Sequence, residues 1–268
     1  MSSPKVLILT GYAINSEEET AFAFEQQGAT PDIVHVNDLI DRRKKLSDYQ
    51  IFVAPGGFAH GDHTGAGKAM ANKLFNNLRD EILAFVRRDT LTLGICNGFQ
   101  MITALGLVPA LQEKYGERQA ALMANENARV TCTWVHMKNI SQKCVFTKGI
   151  EFAYYGIAHG EGKYYMEESE LQKLKENDQI VFQYVEENGS PANGKYPANP
   201  NGALMDIAAV CDPTGRILGI MPHPERSLFL TNRPDFTVLK EQYLREGKSL
   251  PAEGDGQKIF ENAVKYFA

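Results

Sequence analysis

The chain has 268 residues, 43% of them hydrophobic and 23% charged, with a formal net charge of −5. These are ordinary values for a globular fold with ample material for a core, and the acidic balance argues against a nucleic-acid-binding surface. No stretch is long and apolar enough to span a membrane, and the first apolar run is too short for a signal peptide. In chain order, residues 6–9 form a continuous apolar run, as expected of a buried parallel strand. Ser16-Glu17-Glu18-Glu19 has the form of a capping box, which predicts a helix running to Gln27 and stopped by Gly28. Residues 33–36 and 51–54 read as the next two strands, and Arg42-Arg43-Lys44-Lys45 between them as a solvated helix face. The loop Pro55-Gly56-Gly57-Phe58-Ala59-His60-Gly61-Asp62 leads to a helix over 68–88 and a fourth strand that starts at Leu91. Repeated β-then-α units imply a parallel sheet covered by helices on both faces, with a site at the carboxyl ends of its strands.

The second half is richer in β. Residues 129–137, 180–185, 204–211 and 216–221 read as strands with turn residues between them. Residues 188–202, rich in Asn, Pro and Gly, read as loop, 227–256 as a surface excursion, and 257–267 as a closing amphipathic helix. The four cysteines, Cys96, Cys132, Cys144 and Cys211, show no metal-type spacing. So few in so long a chain point to a reducing cytosol.

Chemistry concentrates in two segments. Gly94-Ile95-Cys96-Asn97-Gly98 joins the fourth strand to a stretch with helical periodicity, and strand, Gly-x-Cys-x-Gly, helix is the thiol version of a nucleophile elbow. The turn lifts the sulfur from the sheet and sets it at a helix N-terminus, where the dipole favours negative charge. The other cysteines sit in or beside strand-like runs and read as structural. A base is offered by Pro222-His223-Pro224-Glu225, where alternation along an extended segment would put His223 and Glu225 on one side. His159-Gly160-Glu161 fits the same His-x-Glu pattern. The proline bracketing favours His223 over His159 only modestly. Gly56 and Gly57 let a backbone N–H approach a reacting carbonyl without a Cβ in the way. With the N–H of Asn97, the N–H of Gly57 would form an oxyanion hole.

This ordered set resembles the class I glutamine amidotransferases. The resemblance is carried by Pro55-Gly56-Gly57-Phe58 with Gly61-Asp62 and Gly65-Ala66-Gly67, and by Gly94-Ile95-Cys96-Asn97-Gly98-Phe99-Gln100. Ala158-His159-Gly160-Glu161-Gly162, Tyr196-Pro197-Ala198-Asn199-Pro200-Asn201-Gly202 and Met221-Pro222-His223-Pro224-Glu225-Arg226 complete it. It implies an α/β fold, a flavodoxin-like doubly wound, mostly parallel sheet with an added β-rich C-terminal half, as one glutaminase domain over 1–268. It also implies a Cys96-His223-Glu225 triad, and a glutamine pocket lined by Gly56, Phe58, Gln100 and His159, with His159 in a loop. Within the family the motifs are similar to glutaminase components of purine biosynthesis. Such a component uses no metal or organic cofactor of its own and hands ammonia to a separate synthetase that uses ATP and Mg. A third small bridging subunit stays open, as do a different acceptor and a non-catalytic subunit on the same fold. The chain departs from the family at Ala59-His60, where Ser-Tyr is usual, at Thr133, where Arg is usual, and in the length of 227–256.

Overall fold

The computed structural model describes residues 3–60, 65 and 67–268. The expectations placed on Gly61-Asp62 and on Ala66 lie outside the described residues.

The chain begins with β1 (Lys5–Thr10), α1 (Glu17–Gln26), β2 (Thr30–His35) and a short α2 (Val36–Ile40). It continues with β3 (Ile51–Ala54), α3 (Lys68–Arg87), β4 (Leu91–Ile95) and α4 (Asn97–Ala104). The second half holds β5 (Ala121–Met123), β6 (Thr131–Asn139), β7 (Phe152–His159), β8 (Lys163–Tyr165), α5 (Glu168–Glu176) and β9 (Ile180–Val185). It closes with β10 (Ile207–Cys211), β11 (Ile217–Ile220), α6 (Phe236–Arg245) and α7 (Gln257–Lys265).

Among the described residues, nine strands make one sheet in the order β2-β1-β3-β4-β11-β10-β9-β6-β7. The first five are parallel neighbours, and the rest pair antiparallel. The β-rich half therefore extends the same sheet. Val6, Leu7, Ile8 and Leu9 are fully buried, and all of β3 and β4 is buried, which is why these strands read as continuous apolar runs. Phe24 of α1 meets Phe260 of α7 edge to face at 5.1 Å, and α3 packs on α4.

The antiparallel half curls. β7 lies five places from β4 in the sheet, yet Gly156 of β7 bridges His223, just beyond β11. The far edge of the sheet thus returns over the carboxyl ends of its centre, where the site lies.

Several local expectations are corrected. Ser16 is the N-cap of α1 but makes no capping bond; its hydroxyl accepts from Arg226 Nη2 at 2.8 Å, a partner far away in sequence. β2 starts at Thr30, and Val36 already belongs to α2. The basic cluster at 42–45 follows α2 in a turn, with Arg42 at φ +60°. There Arg43 pairs with Asp38 and Asp41, and Lys44 with Asp32. Residues 204–206 form a 3₁₀ turn before β10. The excursion at 227–256 contains α6, none of whose residues is buried.

Candidate active site

Cys96 closes β4 at φ +50° and ψ −106°, a conformation that side chains rarely adopt and that the surroundings must impose. The imposition is visible. Cys96 N–H donates to Ile220 O at 2.8 Å, tying the turn to β11. Gly98 of α4 presses so closely on β3 that a Cβ there would collide with the Ala54 carbonyl. The sulfur is buried, with Ala158 O at 3.8 Å.

The Gly-Gly loop is fixed from two sides. Phe58 N–H donates to Ala13 O at 2.8 Å, and Asn15 and Ser16 N–H both donate to Gly56 O at 3.3 Å. Gly57 faces Ile14 across this isolated bridge. Its own N–H, anti to the Gly56 carbonyl across a planar peptide, points away from that segment. Gly57 sits at φ +153°, and a Cβ on it would come within 2.7 Å of Ile14 Cα. On the other side the Asn97 side chain accepts from Ala59 N–H at 3.2 Å and donates to Gln100 Oε1 at 2.7 Å. Asn97 therefore joins the loop to the start of α4. Ala59 fulfils this through its backbone, so the Ala59-His60 departure leaves the contact intact. Phe58 is partly exposed. Gln100 Nε2 donates to Glu161 O at 2.6 Å. With both ends of its amide engaged, Gln100 is a strut between α4 and the turn after β7.

His223 Nδ1 lies 2.5 Å from Glu225 Oε1, and both side chains are buried. The pairing holds, but the route to it differs from the strand alternation expected. Residues Pro224–Arg226 form a 3₁₀ turn with Pro224 at its start, and the carboxylate swings back onto the imidazole. Gly56 packs against the ring; a Cβ there would sit 2.7 Å from His223 Cε1. Burial opposes charge on His223, but Glu225 and the Cys96 sulfur outweigh it and push the imidazole up to about 10. His223 Nε2 meets no nitrogen or oxygen of the protein, and Cys96 is the other side chain that raises the ring. A groove of about 340 Å³, lined by Thr133, Trp134, Ile157 and Ala158 among others, opens onto His223.

The competing His-x-Glu pair is arranged otherwise. His159 is the last residue of β7 rather than part of a loop, is 1% exposed, and directs Nδ1 to Asn125 Oδ1 at 3.1 Å. Burial and the neighbouring His223 charge push it down to about 3. It is thus held neutral above about pH 3. Asn125, Tyr184 and Asn201 complete this side: Asn201 Nδ2 donates to Tyr184 OH at 3.3 Å, and burial pushes the Tyr184 hydroxyl up. A Cβ on Gly162 would lie 2.5 Å from His159 Cε1 and 2.8 Å from Asn201 Nδ2, so ring and amide meet there. Asn199 to Gly202 were legible as a motif, whereas Asn125 and Tyr184 carry no local signal.

Of the other cysteines, Cys144 and Cys211 are buried, but Cys132 is exposed on β6, against the expectation that it is structural. Among the described residues no cluster of three or more His, Cys, Asp or Glu side chains could hold a metal. No helix among them is long and apolar enough to cross a membrane.

A prediction about stability arises at His159. Its imidazole titrates near 6.5 in the unfolded chain and near 3 in the fold, so below about pH 6.5 the unfolded state binds a proton that the native state refuses. Stability is expected to fall as pH drops from about 6.5 towards 3. His159→Gln should flatten that part of the profile, as read from urea midpoints at each pH. An unchanged slope would show that another group dominates.

A buried cysteine on a strand-to-helix turn, with an imidazole–carboxylate pair beside it at the carboxyl edge of a parallel sheet, is the site layout of a glutamine amidotransferase. The comparisons agree: residues 3–267 match the model of the CobB/CobQ-like glutamine amidotransferase domain, and the chain belongs to that family. It is 53% identical to phosphoribosylformylglycinamidine synthase subunit PurQ of Methanococcus maripaludis, over 98% of this chain and 97% of that one. To the subunit of the same name from Dehalococcoides mccartyi it is 40% identical, over 99% and 98%. Among solved structures it resembles PurLQS from Thermotoga maritima, with a TM-score of 0.72 and 25% identity over 100% of each chain.

Proposed function

We propose that this chain is the glutaminase subunit of a phosphoribosylformylglycinamidine synthase, built as one domain and working in the cytoplasm. The observation that carries the mechanism is the 2.5 Å His223–Glu225 contact on an imidazole that the Cys96 sulfur also acts on.

Cys96 Sγ attacks the side-chain amide carbon of glutamine with the shared proton already on His223, whose imidazole keeps it up to about pH 10. The N–H groups of Gly57 and Asn97 stabilise the resulting oxyanion; losing one such donor typically lowers the rate about 100- to 1,000-fold. When the C–N bond breaks, His223 returns a proton to the departing nitrogen, and ammonia leaves a thioester on Cys96. Water, deprotonated by His223, then attacks the thioester carbon and releases glutamate. Glu225 orients the imidazole and stabilises its charged form. Gly56, by packing against His223, sets the ring's position, and Phe58 borders the glutamine pocket.

No metal or organic cofactor enters these steps. ATP and Mg would act on the partner, a separate synthetase that takes the ammonia, with a third small subunit bridging the two. The name PurLQS of the solved relative supports a multi-subunit assembly. The test is glutamine-dependent formation of formylglycinamidine ribonucleotide by this chain mixed with its cognate synthetase, ATP and Mg. If glutamine gives no more product than the synthetase alone, the reading fails.

A free-running glutaminase would waste glutamine, so partner control is expected. Glutamate release by the purified chain should rise at least about tenfold when synthetase loaded with substrate and nucleotide is titrated in. That factor corresponds to about 1.4 kcal/mol of transition-state stabilisation, within the worth of one oriented donor. The Gly56-Gly57 loop is the proposed switch. A peptide flip there must first release the Asn15 and Ser16 amides from Gly56 O, which would hold the loop in one state until the partner docks. Full activity without synthetase, unchanged on titration, would rule the control out.

A further inference from the structure

Arg226 closes the motif that carries His223 and Glu225, and the proposed chemistry gives it no part. It ends the 3₁₀ turn Pro224–Arg226, and its side chain is 40% exposed. Burial alone would not hold such an arginine in one place; its bonds do.

The guanidinium reaches from the triad segment to the entrance of α1. Its Nη2 donates to Ser16 Oγ at 2.8 Å and lies 3.5 Å from Asn15 Oδ1, while Nε lies 3.4 Å from Glu19 Oε1. Three neighbouring side chains thus meet one planar fork, a task that suits arginine better than the single ammonium of lysine. The short bond falls on Ser16, which is fully buried, whereas Asn15 is exposed and the Glu19 side chain is 34% exposed. The Ser16 bond is therefore the one that solvent competes for least.

Ser16 carries the contact onward to the Gly-Gly loop. Its N–H, with that of Asn15, donates to Gly56 O at 3.3 Å, and its own carbonyl accepts from Thr20 N–H at 3.2 Å. A Cβ on Gly56 would lie 3.1 Å from Ser16 Oγ and 2.7 Å from His223 Cε1. Gly56 is thus clasped between the serine hydroxyl and the imidazole. The contacts close into a ring: His223 to Gly56, Gly56 to Ser16, Ser16 to Arg226, and Arg226 back to His223, whose carbonyl accepts the Arg226 N–H at 3.3 Å. The base, its carboxylate and the oxyanion loop come from distant parts of the chain, and this ring ties them together.

We propose that Arg226 is a positioning residue: by bonding Ser16 it fixes the spacing between the His223–Glu225 turn and the Gly56-Gly57 loop, an inference that rests on the glutaminase reading above. In the tetrahedral intermediate two substituents of one carbon need the protein at once. The oxygen must meet the Gly57 N–H, and the departing nitrogen must meet the proton on His223. Both are satisfied only if loop and imidazole stand at one separation. A misplacement of about 1 Å can cost about 100-fold in rate. Arg226 acts through Ser16 and Gly56 and not on glutamine, so its loss should slow the chemical step and leave ground-state binding in place.

The test is single-turnover thioester formation on Cys96, measured by rapid quench with labelled glutamine in the full chain bound to its loaded synthetase. Arg226→Met, which keeps the length of the side chain and loses its donors, should lower the saturating rate at least about 30-fold, with the half-saturating glutamine concentration within about threefold of the parent. The amplitude, which counts folded sites, should stay at the parent level. Ser16→Ala should lower the same rate, and the double variant should fall no further than Arg226→Met, because one bond is lost only once. Arg226→Lys, which returns a donor, should recover at least about threefold of the loss. A parent-like rate in Arg226→Met, or a parent-like rate with a raised half-saturating concentration, would overturn the inference and leave the proposed function standing; the second result would place Arg226 on glutamine itself, since it also lines the groove that opens onto His223. Losses that multiply in full in the double variant would overturn it as well. Absence of any thioester in the parent complex would overturn both readings. Should Arg226→Met not fold, Ser16→Ala decides by the same rate and half-saturation.

Discussion

Cys96→Ala is expected to abolish glutamine-driven synthesis in the complex while leaving synthesis from added ammonia intact. Loss of a catalytic nucleophile lowers turnover by on the order of 10⁴-fold or more, whereas the acceptor chemistry belongs to the partner. The structure sharpens the labelling test. Cys132 is exposed on β6 while Cys96 is buried, so a generic alkylating reagent will find Cys132 first. A glutamine-shaped electrophile should reverse that order and modify Cys96 alone. Such labelling persisting in Cys96→Ala would move the nucleophile elsewhere. The strained turn adds a second readout. At φ +50° and ψ −106° an alanine keeps the backbone penalty and a glycine does not. Cys96→Gly should therefore be more stable than Cys96→Ala by about 1 kcal/mol in urea unfolding, despite glycine's greater unfolded-state freedom.

What could be read in the sequence follows from how strongly each element depends on burial. β3, β4 and β9 are buried on both faces, and their apolar runs announced them; α3, with a long buried stripe, was equally plain. β7 was missed. Its buried positions alternate as Ala153, Tyr155, Ile157 and His159, a row in which only Ile157 is a large aliphatic side chain. α6 buries no residue, so no core stripe marks it. The capping box at Ser16 failed for a different reason. The serine hydroxyl is held by Arg226, and a tertiary partner overrides a local rule.

At the site, local geometry was legible and closure was not. The elbow, the glycines and the His-x-Glu pair lie within short segments whose chemistry needs those residues at that spacing. What joins the segments is the curl that returns β7 to His223, and it depends on strand order rather than on any motif. Asn125 was invisible for the same reason. It is a single asparagine in a loop, and its importance comes from five bonds made by its side chain to residues 4 to 37 positions away.

The two His-x-Glu pairs should separate by mutation. His223→Ala removes the base and is expected to bring thioester formation close to background, whereas His159→Gln should act on glutamine binding. Glu225→Gln should keep the fold but lower turnover by roughly 10³- to 10⁴-fold, by analogy with the acid of a serine triad. It should also change the pH dependence of stability in a direction fixed by charge. In the parent, His223 is raised from its unfolded value near 6.5 to about 10. Its stabilising contribution is full below about pH 6.5 and lost as pH rises through about 10. The Glu225 carboxylate is a principal source of that rise, and an amide cannot supply it. In Glu225→Gln the alkaline loss of stability should therefore be smaller and complete at a lower pH, as read from urea midpoints between about pH 6 and 10. If His223→Ala stayed active while His159→Gln lost thioester formation, the assignment of the pair would be reversed. If the alkaline profile of Glu225→Gln matched the parent, the short His223–Glu225 contact would not be the charge-stabilising bond that the mechanism requires.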